Sequence, residues 1–156
     1  MRGGPYEFQK RVTLTLFYVM IISSCVRPIT HVKKEKPAPQ MIEDITPKEA
    51  LALIQANKGN PNFIIIDVRT PEEYRTEHIK GAINIDYYSE AFKTKIANLD
   101  KTKTYLIYCR TGHRSGITLK MMQELGFRRV YNMIGGIIQW KEEGYPTESS
   151  EKELKE

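Results

Sequence analysis

The sequence is poor in cysteine, with only two among 156 residues, and it holds one tryptophan and three histidines. Two cysteines cannot build a disulfide scaffold. No internal repeat stands out. The apolar run over residues 12–22 (VTLTLFYVMII) would make a helix of roughly 16 Å, about half the hydrocarbon core of a bilayer, which is too short for a comfortable transmembrane span. A positive surplus is also missing where it would matter for nucleic acid. The chain carries +5 overall, but residues 1–40 hold seven Lys and Arg against two Glu, and residues 41–156 hold seventeen cations and seventeen acids. A nucleic-acid-binding domain should show its basic patch on its own fold, so no nucleic acid is expected as a partner. What remains, at 40% hydrophobic and 28% charged, is ordinary globular composition, which excludes wholesale disorder and a collagen-like fibre.

The basic segment has its own logic. Lys10 and Arg11 precede the apolar run, and Ser23-Ser24-Cys25 follow it, the layout of a secretory signal. Ile22-Ser23-Ser24-Cys25 resembles the lipobox of bacterial lipoproteins, with Ile22 in place of the commoner leucine. That resemblance implies cleavage before Cys25, diacylation of its sulfur and a lipid anchor in the membrane. Plain secretion, a retained signal and a disulfide from Cys25 to the other cysteine are the alternatives. Residues 26–40, with three prolines and four cations, read as an extended, solvated tether in which His31 stands alone. The expected organisation is a signal over 1–24, a lipidated cysteine and tether over 25–40, one domain over 41–146, and a frayed polar tail over 147–156.

From Ile42 strands alternate with helices. Two capping boxes with proline at the first helical position, Thr46-Pro47-Lys48-Glu49 and Thr70-Pro71-Glu72-Glu73, open helices. Residues 63–68 (FIIIDV) form a continuous β-branched run, as in a strand buried on both faces. Further strands are expected at 82–85, 104–108 and 129–133. Further helices are expected at 89–99, along Ile117, Met121 and Leu125, and from Gly136 through Trp140. Alternation with short connections predicts an α/β domain, a central and mostly parallel sheet with helices on both faces.

In such a sheet ligands collect beyond the carboxyl ends of the strands. One loop there stands apart: Cys109-Arg110-Thr111-Gly112-His113-Arg114-Ser115, running from a strand end into a helix start. Free backbone amides and the helix dipole make an anion site, and Gly112 lets the backbone turn inward. A cysteine placed there beside Arg110 and Arg114 is expected to ionise easily. The alternative for Cys109 is a buried structural thiol, against which stand two arginines within five residues. For His113, donation to an anion and simple solvation both stay open.

Three stretches carry a wider resemblance. Residues 67–74 (DVRTPEEY) with 78–84 (HIKGAIN), the cysteine loop, and Gly135-Gly136 with Trp140 and Gly144-Tyr145-Pro146 together resemble a single-domain rhodanese, the thiosulfate sulfurtransferase-like family. Glu77, where glycine usually precedes the histidine, and Asp86, where proline often follows the strand, are small departures. The resemblance implies the three-layer rhodanese fold and a persulfide carrier. Cys109 would take a sulfane sulfur from a small anionic donor, thiosulfate or polysulfide, and pass it to a thiol or cyanide acceptor. Arg110, Thr111, Gly112, His113, Arg114 and Ser115 would bind the donor, and Asp67 and Arg69 would brace the site. His78 and Trp140 read as structural. No metal and no organic cofactor is implied. Four residues separate Cys109 from Arg114, whereas phosphatases on related loops place five there. The shorter loop favours sulfur transfer over a cysteine phosphatase or arsenate reductase, and a non-catalytic anion- or protein-binding module is the other alternative.

Overall fold

The computed structural model describes residues 39–150. Cys25, His31, the apolar run and residues 151–156 lie outside the described residues, and with them the expected signal, lipid anchor and most of the tether. Among the described residues no helix is long and apolar enough to cross a membrane.

Strands β1 (Met41–Ile45), β2 (Phe63–Asp67), β3 (Ala82–Asn84), β4 (Thr104–Tyr108) and β5 (Arg129–Met133) alternate with helices α1 (Pro47–Ala56), α2 (Pro71–Thr76), α3 (Phe92–Ala97), α4 (His113–Glu124) and α5 (Gly136–Glu142). The strands form one sheet in the order β1-β5-β4-β2-β3, and every neighbouring pair is parallel. Both capping boxes form as expected: Thr46 and Thr70 each accept from the backbone of the glutamate three residues on, which returns a bond to the cap backbone.

Side chains alternate across the sheet and build two cores. Ile66, Tyr105, Ile107 and Cys109 face one way, with Phe92 and Ile96 of α3 and Leu119 and Met122 of α4. Ile65, Leu106 and Tyr108 face the other, with Ala50 of α1 and Ile137 and Trp140 of α5. The parallel sheet with helices on both faces is therefore as the sequence indicated. After β2 the chain moves to β3 at one edge, and after β4 it moves the opposite way to β5. The crevice between the carboxyl ends of β2 and β4 is thus the topological switch point.

Three details differ from expectation. The helix expected over 89–99 runs only over α3. Residues 89–91 form a turn in which Ser89 accepts from the Ala91 and Phe92 amides, leaving no side-chain cap to extend the helix. Of the apolar stripe expected along α4, Met121 and Leu125 pack half-buried against the core, while Ile117 does not. Ile117 is 42% exposed, and Ser115, Thr118, Leu119 and Met122 are buried instead. Small hydroxyl residues occupy the inner face because their hydroxyls are satisfied locally, Ser115 on the Gly112 carbonyl and Thr118 on that of Arg114. The tail expected to fray from Thr147 is docked as far as Ser150. Glu148 and His78 exchange backbone bonds of 2.8 Å, and the Ser150 amide donates to the Arg75 carbonyl. Backbone pairing of this kind leaves no mark in a polar composition.

Trp140 is buried, packs edge-on against Tyr145 and donates its indole N–H to the Pro146 carbonyl at 3.0 Å. Trp140→Ala is expected to lower unfolding free energy by about 3–5 kcal/mol, read from the midpoint of urea denaturation.

Candidate active site

Cys109 follows β4 directly, and its loop ends at Gly112, which precedes α4 at φ +93°. That conformation is left-handed and suits glycine, and a Cβ there would also press on the Gly135 amide at 3.2 Å. The turn aims the loop amides back at the sulfur. Cys109 Sγ accepts from the Gly112 N–H at 3.1 Å and from the Ser115 hydroxyl at 3.5 Å. The residue is fully buried. Burial by itself would push the thiol up, but the Ser115 hydroxyl and the Ser115, Thr111 and Gly112 amides overcome it and hold it below the ordinary thiol range. The leading donors are a hydroxyl and backbone amides; the amides were expected from the sequence beside the two arginines, and the Ser115 hydroxyl is the addition.

The outer shape of the loop is fixed by α5. The Ile137 and Ile138 amides donate to the Cys109 and Arg110 carbonyls at 2.9 and 3.2 Å. Gly136, at φ +59°, lies so close that a Cβ would meet the Arg110 and Cys109 carbonyl groups at 2.5 Å. This is the physical reason for the Gly135-Gly136 pair.

The two loop arginines have different surroundings. Arg114 is largely buried and forms a two-point pair with Glu73, Nη1 to Oε2 and Nη2 to Oε1, each at 3.1 Å. Burial opposes the charge on both partners. The pair overcomes it, raising the guanidinium and, with the Thr70 amide, holding Glu73 below the ordinary carboxylate range. Arg110 is exposed, and its guanidinium makes no hydrogen bond or ion pair among the described residues. It opens on a cleft of about 700 Å³ that also includes Glu72, Ile138, Lys141 and Glu142. The side chains of Thr111 and His113 are exposed and line a second hollow with Asp44 and Asn132.

Asp67 and Arg69 meet beneath the loop. Arg69 Nε lies 3.0 and 2.9 Å from the two Asp67 oxygens, and its Nη2 donates to Oδ2 at 2.7 Å and to the Glu77 carbonyl at 2.5 Å. Both side chains are buried, and the Arg69 guanidinium lies 5.8 Å from the Tyr108 ring centroid. The pair ties the end of β2 to the carboxyl end of α2 and to the strand that delivers Cys109.

Sequence reasoning missed two residues. Glu73 was accounted for as the fourth member of a capping box, and nothing in that pattern announces its second partner, Arg114. Tyr88, whose ring lies 5.5 Å from the Arg114 guanidinium, carries no local signal at all.

Comparison with known proteins gives a consistent picture. Residues 46–143 match the rhodanese-like domain family. The chain is 40% identical over 70 residues to the thiosulfate sulfurtransferase PspE of Escherichia coli, covering 45% of this chain and 67% of that one. It is 32% identical over 117 residues to the thiosulfate sulfurtransferase GlpE of Coxiella burnetii, covering 72% and 98%. Among solved structures it is similar to a rhodanese-like domain protein from Staphylococcus aureus, with 27% identity, a TM-score of 0.56, and 69% and 97% coverage.

Two outcomes test the geometry. Gly136→Ala is expected to destabilise the fold by about 1–3 kcal/mol from left-handed backbone alone, with the carbonyl contact adding to it, measured by urea denaturation. In Ser115→Ala the thiol loses its hydroxyl donor. The pH of half-maximal alkylation of Cys109 by iodoacetamide should rise by about one pH unit, against a wild-type value below that of a free thiol.

Proposed function

The chain belongs to the rhodanese-like domain family, and from that premise we propose that it is a sulfurtransferase in which Cys109 carries the sulfur as a persulfide. The observation that carries the reading is a buried cysteine sulfur met by the Gly112 amide and the Ser115 hydroxyl, at the switch point of a parallel sheet. Those donors stabilise a thiolate, which is the nucleophile the reaction needs. The Cys109 thiolate attacks the outer sulfur of thiosulfate. The sulfur–sulfur bond of thiosulfate breaks, sulfite leaves with the bonding pair, and Cys109 is left as a persulfide anion. A thiol or cyanide then attacks the terminal sulfur and the Cys109 thiolate returns.

The same donors suit both anions, so the sulfur that arrives replaces a charge the loop already holds. Arg110, unpaired at the rim, supplies a free cation for the incoming donor. Arg114 shapes the loop through Glu73. The short loop, with four residues between Cys109 and Arg114, supports sulfur transfer over hydrolysis of a tetrahedral phosphate.

The reading extends to place. The basic start, the apolar run over 12–22 and Ile22-Ser23-Ser24-Cys25 support export and a lipid anchor at Cys25 in the cell envelope. There the glutathione and thioredoxin pools are scarce, which favours thiosulfate or polysulfide metabolism.

Thiosulfate is expected to add one sulfur atom to Cys109 by intact mass and to release one equivalent of sulfite. Cys109→Ser should abolish both. Chain recovered from membranes should carry acyl mass on a new amino terminus at Cys25. A wild-type protein that takes no sulfur from thiosulfate or polysulfide, while Cys109→Ser still binds anions, would make this a binding module instead.

A further inference from the structure

Arg114 is restrained on two different sides. Glu73 takes the edge of the guanidinium through two hydrogen bonds, and Tyr88 lies over its face with 5.5 Å between Cζ and the ring centroid. An in-plane carboxylate leaves the group free to rock about the axis of the pair. A ring on the face removes that freedom, and the π-face attracts the cation as well.

Tyr88 is 68% exposed, the highest value among the exposed large apolar side chains of the described residues. Burial therefore does little to keep it in place. Its position is instead transmitted from the core. The buried Phe92 packs against Tyr87 at 5.1 Å, and Tyr87 meets Tyr88 edge-on at 5.4 Å. The Tyr88 amide donates to Asp86 Oδ1 at 2.9 Å, and the Tyr87 amide donates to the Val68 carbonyl at 3.2 Å, just beyond β2. The ring thus stands on the β3–α3 connection, with Arg114 between it and Glu73 of α2. Arg114 in turn lies in the first turn of α4, next in sequence to Ser115, whose hydroxyl meets Cys109 Sγ at 3.5 Å.

We propose that Tyr88 is a positioning residue, which by stacking on the guanidinium face holds Arg114 turned toward the sulfur loop and so sets the preference of Cys109 for anionic over neutral reagents. The proposal rests on Cys109 as the reacting sulfur, and it is independent of whether the reaction is sulfur transfer. Tyr88 acts through Arg114 and needs only its ring. Its hydroxyl has no part in it.

The test compares alkylation of Cys109 in the full chain by iodoacetate, an anion, and by iodoacetamide, its neutral counterpart. Each forms the same bond from Sγ to carbon and expels iodide. Both reagents meet the same cost of reaching an enclosed sulfur, so their rate ratio isolates the field at the site. Peptide mass mapping confines the reading to Cys109. Tyr88→Leu and Tyr88→Ala keep or remove the bulk without the π-face, and each is expected to lower the iodoacetate-to-iodoacetamide ratio two- to five-fold, the range of an exposed cation–π contact. Tyr88→Phe should keep the wild-type ratio. All three should melt within a few degrees of wild type, since so exposed a side chain contributes little to the core. An unchanged ratio in both Leu and Ala variants overturns the proposal, and so does a Phe variant that falls as far as Leu. If wild-type protein takes no sulfur from thiosulfate while the ratio responds as stated, the sulfurtransferase reading fails and the role of Tyr88 stands.

Discussion

A sulfur anion enclosed by protein persists only where hydrogen-bond donors converge on it, because burial alone favours the neutral thiol. Nearly every unusual feature around Cys109 answers that constraint. Gly112 turns left-handed so that loop amides face inward, and Ser115 places a hydroxyl where α4 would ordinarily bury an apolar side chain. The carbonyls displaced outward by that turn would be orphans, and the first amides of α5 take them up. Gly136 has no side chain because the loop carbonyls occupy the space a Cβ would need. The loop and α5 are therefore one structure, although 25 residues separate Cys109 from Gly135.

The buried charges serve the same end from below. Asp67 and Arg69 lie two residues apart at the end of β2, the neighbour of β4 in the sheet. A pair so well bonded is costly to bury and need not stabilise the fold relative to apolar packing. Its effect here is directional. It fixes where β2 stops and α2 begins, and α2 carries Glu73 to Arg114. A chain of contacts thus runs from Asp67 through Arg69 to the Glu77 carbonyl at the end of α2, and from Glu73 of that helix to Arg114 at the start of α4. The sulfur loop is held at its base by one ion pair and at its far end by another.

The architecture was legible in the sequence because its signals are local. Proline-bearing capping boxes and the β-branched run over 63–68 report on a few adjacent residues, and the alternation they mark out forces a parallel sheet. The loop was legible for a related reason, since a cysteine, a glycine and two arginines between a strand and a helix have few bland explanations. Three features escaped because no local apolar pattern marks them. The outward position of Ile117 and the burial of Ser115 and Thr118 on α4 carry no apolar signal, since hydroxyl residues can be buried when the backbone satisfies them. Glu73 has one partner three residues away and another forty-one away, and only the near one belongs to a pattern. The docked segment at Glu148 pairs through backbone atoms, which every sequence possesses.

Holding the sulfur by a hydroxyl and amides, with most side-chain charge matched elsewhere, decides how such a site discriminates. The positive charge of Arg69 is answered by Asp67 and that of Arg114 by Glu73, while residues 41–156 carry no net charge. An approaching anion therefore meets few guanidinium charges at the site, among them that of Arg114 held between Glu73 and Tyr88. At the rim it meets Arg110, whose guanidinium is unpaired among the described residues, and inside the loop it meets a set of fixed dipoles. Dipolar fields decline more steeply with distance than those of charges, and within a buried loop they are little weakened by salt. Selection beyond charge therefore happens at contact, by whether an atom is small enough to reach the amides. In the proposed sulfurtransferase, the four residues between Cys109 and Arg114 would make that contact one for the outer sulfur of the donor, and loop length would be the variable that sets the chemistry.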